Sequence, residues 1–237
     1  NNFIDDINIL NKLGLSIVVV HGGGPRIKRE LDKSNIQTKF IRGLRVTDKK
    51  IIKIIESVLI DFNNDIVIAL KKKGLEAISI NTKTNNIINV VPEKEELGFV
   101  GIPNKINTDI IKGIIDKNQI PVVAPLGLGK NNDPYNINGD TAAGAIAKSL
   151  NARRLLLMTN VEGVLDKEKK LIAEISSSKI LEMIKNEIIT GGMIPKINTC
   201  LDAVNKGVRG VVIMDGRKNH SILNEIFSDA GVGTLIR

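Results

Sequence analysis

Five short apolar runs recur along the chain, at 16–20 (SIVVV), 77–80 (AISI), 120–124 (IPVVA), 154–158 (RLLLM) and 210–214 (GVVIM). Each is too short for a helix and lacks the polar alternation of a half-exposed strand, so each reads as a buried strand. Between them lie segments with helical spacing, roughly 3–13, 25–33, 47–72, 107–117, 140–150, 177–186, 194–206 and 219–227. Buried strands alternating with helices specify an α/β fold with an open, mainly parallel sheet. By capping chemistry Thr47, Asp140, Ser177 and Asn219 are the expected helix starts. The stretch 81–101 lacks helical period and carries turn residues around a short apolar run, which predicts a β-hairpin projecting from the main sheet with NTKTNN as its turn.

Composition removes several function classes. The single cysteine, Cys200, excludes an internal disulfide framework and cysteine-based zinc sites. No apolar run approaches the ~20 residues of a membrane span. No signal-peptide pattern opens the sequence, so the expected compartment is the cytoplasm, or the plastid stroma for an organellar chain. The net charge of +8 invites a nucleic-acid reading, but the lysines are scattered and aromatic residues make up only 3% of the chain, with no tryptophan. Platforms for stacking bases are thus nearly absent, and the positive field suits small anionic substrates. Neither nucleic acid nor membrane is expected as a partner.

The strand at 16–20 runs into His21 and three consecutive glycines and then into a helix beginning near Pro25. A lipase-type oxyanion hole would need a G-x-S-x-G nucleophile elbow, and the sequence has none. GLGKNND at 127–133 lacks the spacing and the Ser/Thr of a Walker A loop, and Gly24 does not complete a G-x-G-x-x-G. What remains is a glycine loop at a helix N-terminus, which is either an anion site or a tight turn without a ligand.

Three further segments share that ambiguity. FIRGLRVTD (Phe40–Asp48) offers Arg42 and Arg45, either a carboxylate clamp or two surface arginines. PYNINGDTAAGAIAKSL (Pro134–Leu150) places Asn136, Asn138 and Asp140 at alternate positions where α/β sheets bind ligands, or uses Asp140 only as a helix cap. ITGGMIPK (Ile189–Lys196) sets a lysine on the first helical turn after a glycine pair, either a phosphate-binding amine or a surface residue.

Taken together and in order, VVVHGGG, GLRVTD, EELGFVG (Glu95–Gly101), NINGDTAAG, TNVEGVLD (Thr159–Asp166) and GGMIPK resemble the amino-acid kinase superfamily, and within it the N-acetylglutamate kinases. GLRVT and the ELG-x-VG stretch separate the chain from the carbamate, aspartate, glutamate-5 and uridylate kinases of that superfamily.

The resemblance implies a three-layer αβα sandwich. An N-terminal lobe, 1–151, would bind the acyl amino acid and dimerise, and a C-terminal lobe, 152–237, would bind ATP. It implies ATP-dependent phosphorylation of the γ-carboxylate of N-acetyl-L-glutamate, an early step of arginine biosynthesis. Gly23 and Gly24 would contact the phosphoryl group and acceptor, with Gly23 counted as catalytic. Arg45 would clamp the α-carboxylate, and Asn136 and Asn138 would hold the substrate's polar groups. Asp140 would orient the catalytic lysines, and Lys196 would stabilise the transferring phosphoryl. Asn160, Val161, Gly163 and Val164 would bracket the nucleotide together with Gly191, Gly192, Met193 and Lys196. The 81–101 hairpin would be a lid over the substrate. Mg²⁺ would be held through the ATP phosphates rather than by a protein metal site.

The family's first strand carries a lysine with its own glycine pair (K-x-GG) that this sequence does not include. The expectation is that this strand lies before Asn1 in the full-length protein, the alternative being a protein without one of the two phosphate-stabilising lysines. Asn160 stands where the family has Asp, and Ala230 where arginine-inhibited members have Glu. A homodimer or hexamer, an arginine effector and a PII-type protein partner are the further associations implied. A kinase for a related acyl amino acid such as N-acetyl-aminoadipate, or a catalytically silent nucleotide- or arginine-binding regulator, are the alternative readings.

Overall fold

The strand that feeds the glycine loop is short, pairing only over Val19–Val20, and it forms one edge of a three-stranded parallel sheet. Next to it lies Ile120–Val123 and then Ala77–Ile80, with Val19 opposite Val122 and Ala77 opposite Ile120. The central strand Ile120–Val123 is buried along its whole length, as a strand covered on both faces must be. These strands belong to the first of two compact units, Asn11–Ala143; the second comprises the first ten residues and Gly144–Arg237. The structure is a computed structural model and describes residues 2–191 and 193–237.

In the first unit, helices Gly24–Lys33 and Lys49–Lys71 pack on each other. Ile27 and Leu31 of one meet Ile51, Ile52, Ile55 and Leu59 of the other, together with Ala124 and Leu126. The i, i+4 spacing of these isoleucines and leucines puts them on one helical face, and their burial is what holds so long a helix in place. A second sheet orders Gly101–Ile106, Ile88–Pro92, Leu126–Leu128 and Pro134–Asn136 side by side. In the second unit, Leu155–Thr159 pairs parallel to Val211–Asp215 over five residue pairs. Thr234–Ile236 and Glu174–Ile175 complete that sheet. The α/β class read from the sequence is the class observed.

Some local expectations shift. The hairpin lies at 88–106, with strands Ile88–Pro92 and Gly101–Ile106 joined through the 3₁₀ turn Glu95–Leu97, so NTKTNN is not its turn. NTKTNN instead folds on its own first side chain: Asn81 Oδ1 accepts from the Lys83 and Thr84 amides, an Asx-type turn that leads out of strand Ala77–Ile80.

Helix starts differ by a residue or so. Asp48 rather than Thr47 caps Lys49–Lys71, accepting from the Lys50 and Ile51 amides at 2.8 Å, a cap worth about 1 kcal/mol. Thr47 is fully buried and its hydroxyl donates to the Arg45 carbonyl. Ser176 caps helix Ser177–Lys185, and His220, in the left-handed region, precedes helix Ser221–Phe227. Asn138 accepts from the Thr141 amide at the start of helix Gly139–Ser149, which leaves Asp140 in the first turn rather than at the cap.

Candidate functional site

A cleft of about 200 Å³ opens in the first unit where three segments meet. The glycine loop supplies Gly22, Gly23 and Gly24; the hairpin Phe40–Ile41/Leu44–Arg45 supplies Phe40, Gly43, Leu44 and Arg45; the exit from strand Pro134–Asn136 supplies Asn136, Ile137, Asn138 and Gly139. Ile27, Leu59, Val100 and Pro125 form the apolar walls. The candidate substrate residues Gly23, Gly24, Arg45, Asn136 and Asn138 therefore line one cavity. Arg42 does not: it sits exposed at the hairpin turn with φ +51°, next to Gly43 at φ +81°.

The glycine loop is shaped for access. A Cβ on Gly22 or Gly24 would meet nothing within 4 Å, so both face open space, whereas a Cβ on Gly23 would run into the Leu59 side chain. Gly139 approaches the backbone from the other side, its Cβ position lying 3.6 Å from Gly22 Cα. Among the described residues, the Gly23 amide donates to no backbone or side-chain acceptor. Bare amides at the start of helix Gly24–Lys33 suit an anion.

Arg45 is half-buried and fixed in two ways that sequence reading missed. Its Nη1 donates to Thr38 Oγ1 at 2.5 Å, and its guanidinium lies 4.6 Å from the centroid of the Phe40 ring. Burial lowers its pKa from the ordinary value, yet an arginine so far above neutrality keeps its charge. The clue in the sequence was an aromatic five residues before an arginine in a short hairpin, a pattern too common to single out.

Two motifs read separately turn out to be joined. The Thr47 amide donates to the Leu97 carbonyl at 3.0 Å, and the Phe99 amide donates to the Thr47 carbonyl at 2.7 Å. The Asn136 amide in turn donates to the Phe99 carbonyl at 2.9 Å. GLRVT, ELGFVG and NIN are thereby stitched into one wall, with Val100 facing the cleft.

In the second unit, the candidate nucleotide segment leaves strand Leu155–Thr159. Asn160 and Val161 are exposed, while Gly163 and Val164 are buried against the C-terminal strand. The Val164 amide donates to Thr234 Oγ1 at 2.8 Å, and a Cβ on Gly163, which sits at φ +155°, would overlap that hydroxyl. Arg217 was not anticipated. It grips Asp215 through Nε and Nη2 at 2.9 and 2.8 Å, and Nη2 also donates to the Asn160 carbonyl at 2.9 Å. That fork holds the Asp215 carboxyl at about 2, well below the usual carboxylate range. Lys218 pairs with Glu162 at 2.7 Å, so the segment is tied down at two points. Lys196 lies on the first turn of helix Met193–Asn205, partly buried, and Gly191 precedes it at φ +57° with open space around its Cβ position. Gly192 lies outside the described residues.

The sequence matches the amino acid kinase family over residues 1–215. It is 57% identical over 235 residues to an acetylglutamate kinase of Pelagibacter ubique (strain HTCC1062), covering 99% of this chain and 82% of that protein. An acetylglutamate kinase of Clostridioides difficile (strain 630) is 46% identical over 239 residues, covering 99% of this chain and 84% of that protein. Among solved structures, smu.665 from Streptococcus mutans UA159 superposes with a TM-score of 0.85 at 32% identity, covering 98% of this chain and 90% of that one.

Proposed function

The chain belongs to the amino acid kinase family, and we propose that it transfers the γ-phosphoryl group of ATP to the side-chain carboxylate of N-acetyl-L-glutamate in arginine biosynthesis. The observation that carries this reading is the cleft in which the glycine loop, Arg45 and the Asn136–Asn138 segment converge. In this reading, acyl-amino-acid binding belongs to 1–151 and ATP binding to 152–237.

The chemistry needs no general base. A glutamate side-chain carboxyl has an unperturbed pKa of about 4.3 and is already a nucleophile at neutral pH. His21, the histidine of the glycine loop, is not a candidate base: it is only 7% exposed and both ring nitrogens are engaged inside the protein. The difficulty is bringing one anion up to another, so catalysis is positioning and charge neutralisation. Arg45 clamps the α-carboxylate with its planar fork. The Gly23 and Gly24 amides receive phosphoryl oxygens, and Asn136 and Asn138 hold the remaining polar groups. Lys196 neutralises the transferring phosphoryl, and Asp140 orients the lysine side chains. Asn160, Val161, Gly163 and Val164, with Gly191, Met193 and Lys196, hold the nucleotide. Mg²⁺, carried on the ATP phosphates, supplies further charge neutralisation. A homodimer or hexamer, arginine as effector and a PII-type partner are carried by the family resemblance.

An ADP-release assay with a panel of acceptors tests the reading. N-acetyl-L-glutamate is expected to stimulate ADP formation at least about tenfold more, in kcat/KM, than N-acetyl-aminoadipate, which is one methylene longer than the cleft's intended occupant. Preference for the longer acceptor would reassign the substrate. ATP binding without any acceptor-dependent turnover would make the chain a regulator.

A further inference from the structure

Behind the glycine loop runs a buried chain of hydrogen bonds that the proposed reaction does not use. His21 Nδ1 lies 2.7 Å from the Gly22 carbonyl oxygen, and Nε2 lies 3.2 Å from Asn63 Nδ2. Asn63, fully buried in the long helix Lys49–Lys71, also donates from Nδ2 to the Val122 carbonyl at 2.9 Å and accepts from Ser79 Oγ at 2.6 Å. Ser79 accepts from Asn81 Nδ2 at 2.9 Å. The ring packs edge-on against Phe62 at 5.0 Å between centroids, and the Arg26 guanidinium lies over the Phe62 ring, 4.0 Å from its centroid.

The donors in this chain can be assigned without seeing a hydrogen. A carbonyl oxygen only accepts, so Nδ1 carries the proton. Asn63 Nδ2 spends one hydrogen on Val122 and has the other for Nε2, which must then be the bare acceptor. A protonated Nε2 would face an N–H, and burial pushes the ring pKa down. The hydrogen bond to the Gly22 carbonyl works against that shift and the nearby Arg26 charge adds to it, the net direction being down. The imidazole is thus held neutral in a single tautomer.

That tautomer has a consequence for the loop. The Gly22–Gly23 peptide is trans, as are all peptides among the described residues, so its C=O and N–H point in opposite directions. With the carbonyl drawn to the buried ring, the Gly23 N–H is turned away from the interior. A peptide flanked by two glycines has no Cβ to resist flipping, so something must choose its orientation.

We propose that His21 is a positioning residue: its Nδ1–H, bonded to the Gly22 carbonyl, holds the Gly22–Gly23 peptide so that the Gly23 N–H faces the cleft and an incoming phosphoryl oxygen. The inference rests on the proposed phosphoryl transfer for the identity of that oxygen. The His21 tautomer and the orientation of the peptide are properties of the chain without substrate.

Two substitutions separate the ring nitrogens. In His21→Asn the amide nitrogen falls where Nδ1 was and can still donate to Gly22, whereas in His21→Gln it falls nearer the position of Nε2. His21→Asn is expected to keep kcat within about threefold of the parent, and His21→Gln to lose about ten- to a hundredfold in kcat while KM for ATP moves less than about twofold. In ¹⁵N spectra of the unsubstituted chain, the His21 ring should show a protonated Nδ1 and a bare Nε2. The Gly23 amide resonance should be displaced in His21→Gln and restored in His21→Asn. An Nε2-protonated ring, or equal kcat and equal Gly23 shifts in the two variants, would overturn the proposal. If the unsubstituted chain transfers nothing to N-acetyl-L-glutamate, the functional reading falls. The ring tautomer and the Gly23 shifts then decide the His21 assignment by themselves, and the tautomer of the unsubstituted chain decides it even if one variant fails to fold.

Discussion

Arg45 bears more of the proposed specificity than any other side chain in the cleft, and its geometry says how it should fail. Thr38 and the Phe40 ring leave the guanidinium little freedom, so its fork meets a carboxylate already oriented. Lysine keeps the charge but loses the paired donors and the flat face that lies on Phe40. Arg45→Lys is therefore expected to raise KM for N-acetyl-L-glutamate about tenfold or more, since a charge-assisted hydrogen bond is worth about 1.5–3 kcal/mol. KM for ATP should not follow it. A parallel rise in both constants, measured in the same steady-state assay, would mean that Arg45 supports the fold rather than the acceptor. At this scale the local motifs marked the glycines, Arg45, Asn136 and Asn138 as candidates, each with a plain structural alternative. Only their order along the chain singled them out, and the fold brings them to one cleft. His21 did not stand out as a positioning group, because its partner Asn63 is 42 residues away and nothing local marks that asparagine as buried. Arg217 was silent for the same reason, its target being the Asn160 carbonyl 57 residues earlier.

At the scale of elements, the wall that carries Arg45 depends on a glycine outside the cleft. Gly98 sits at φ +65°, and a Cβ there would overlap the Thr47 carbonyl, the same carbonyl that receives the Phe99 amide. Gly43 also has positive φ, at +81°, but its Cβ position is open. The pair separates strain from packing. Gly43→Ala should cost about 1–2 kcal/mol, the conformational term alone, whereas Gly98→Ala should cost about 2–4 kcal/mol because the Thr47–Phe99 bond must also give way. Urea denaturation of both variants checks this, and equal losses would show that the two segments are not held together as described. The sequence located the five buried strands and the helices, because apolar runs and helical spacing leave few alternatives. It did not mark short strands such as Phe40–Ile41, Leu126–Leu128, Pro134–Asn136 and Thr234–Ile236, which are too short to carry a pattern. It misplaced the hairpin turn, since NTKTNN has turn composition but uses it for an Asx turn on Asn81, while the true connection contains the charged run Glu93–Glu96. It was off by a residue at caps because Thr47, Asp48, Ser176 and Ser177 all have capping chemistry, and only tertiary contacts decide which of a neighbouring pair is free to cap.

For the whole molecule, the net charge of +8 suits a reaction between two small anions; no described helix is long and apolar enough to cross a membrane. In the proposed reaction the acceptor site lies in the unit Asn11–Ala143, and the candidate nucleotide segment and Lys196 lie within Gly144–Arg237. The central claim is that the acceptor is a carboxylate and the product an acyl phosphate. Incubation with labelled ATP, N-acetyl-L-glutamate and hydroxylamine tests it, because hydroxylamine captures an acyl phosphate as a hydroxamate and releases its phosphate. Hydroxamate is expected to equal the ADP formed, to depend strictly on N-acetyl-L-glutamate, and to fall about a hundredfold or more in kcat in Lys196→Ala with little change in KM for the acceptor. ADP without hydroxamate, or an unchanged kcat in Lys196→Ala, would contradict it.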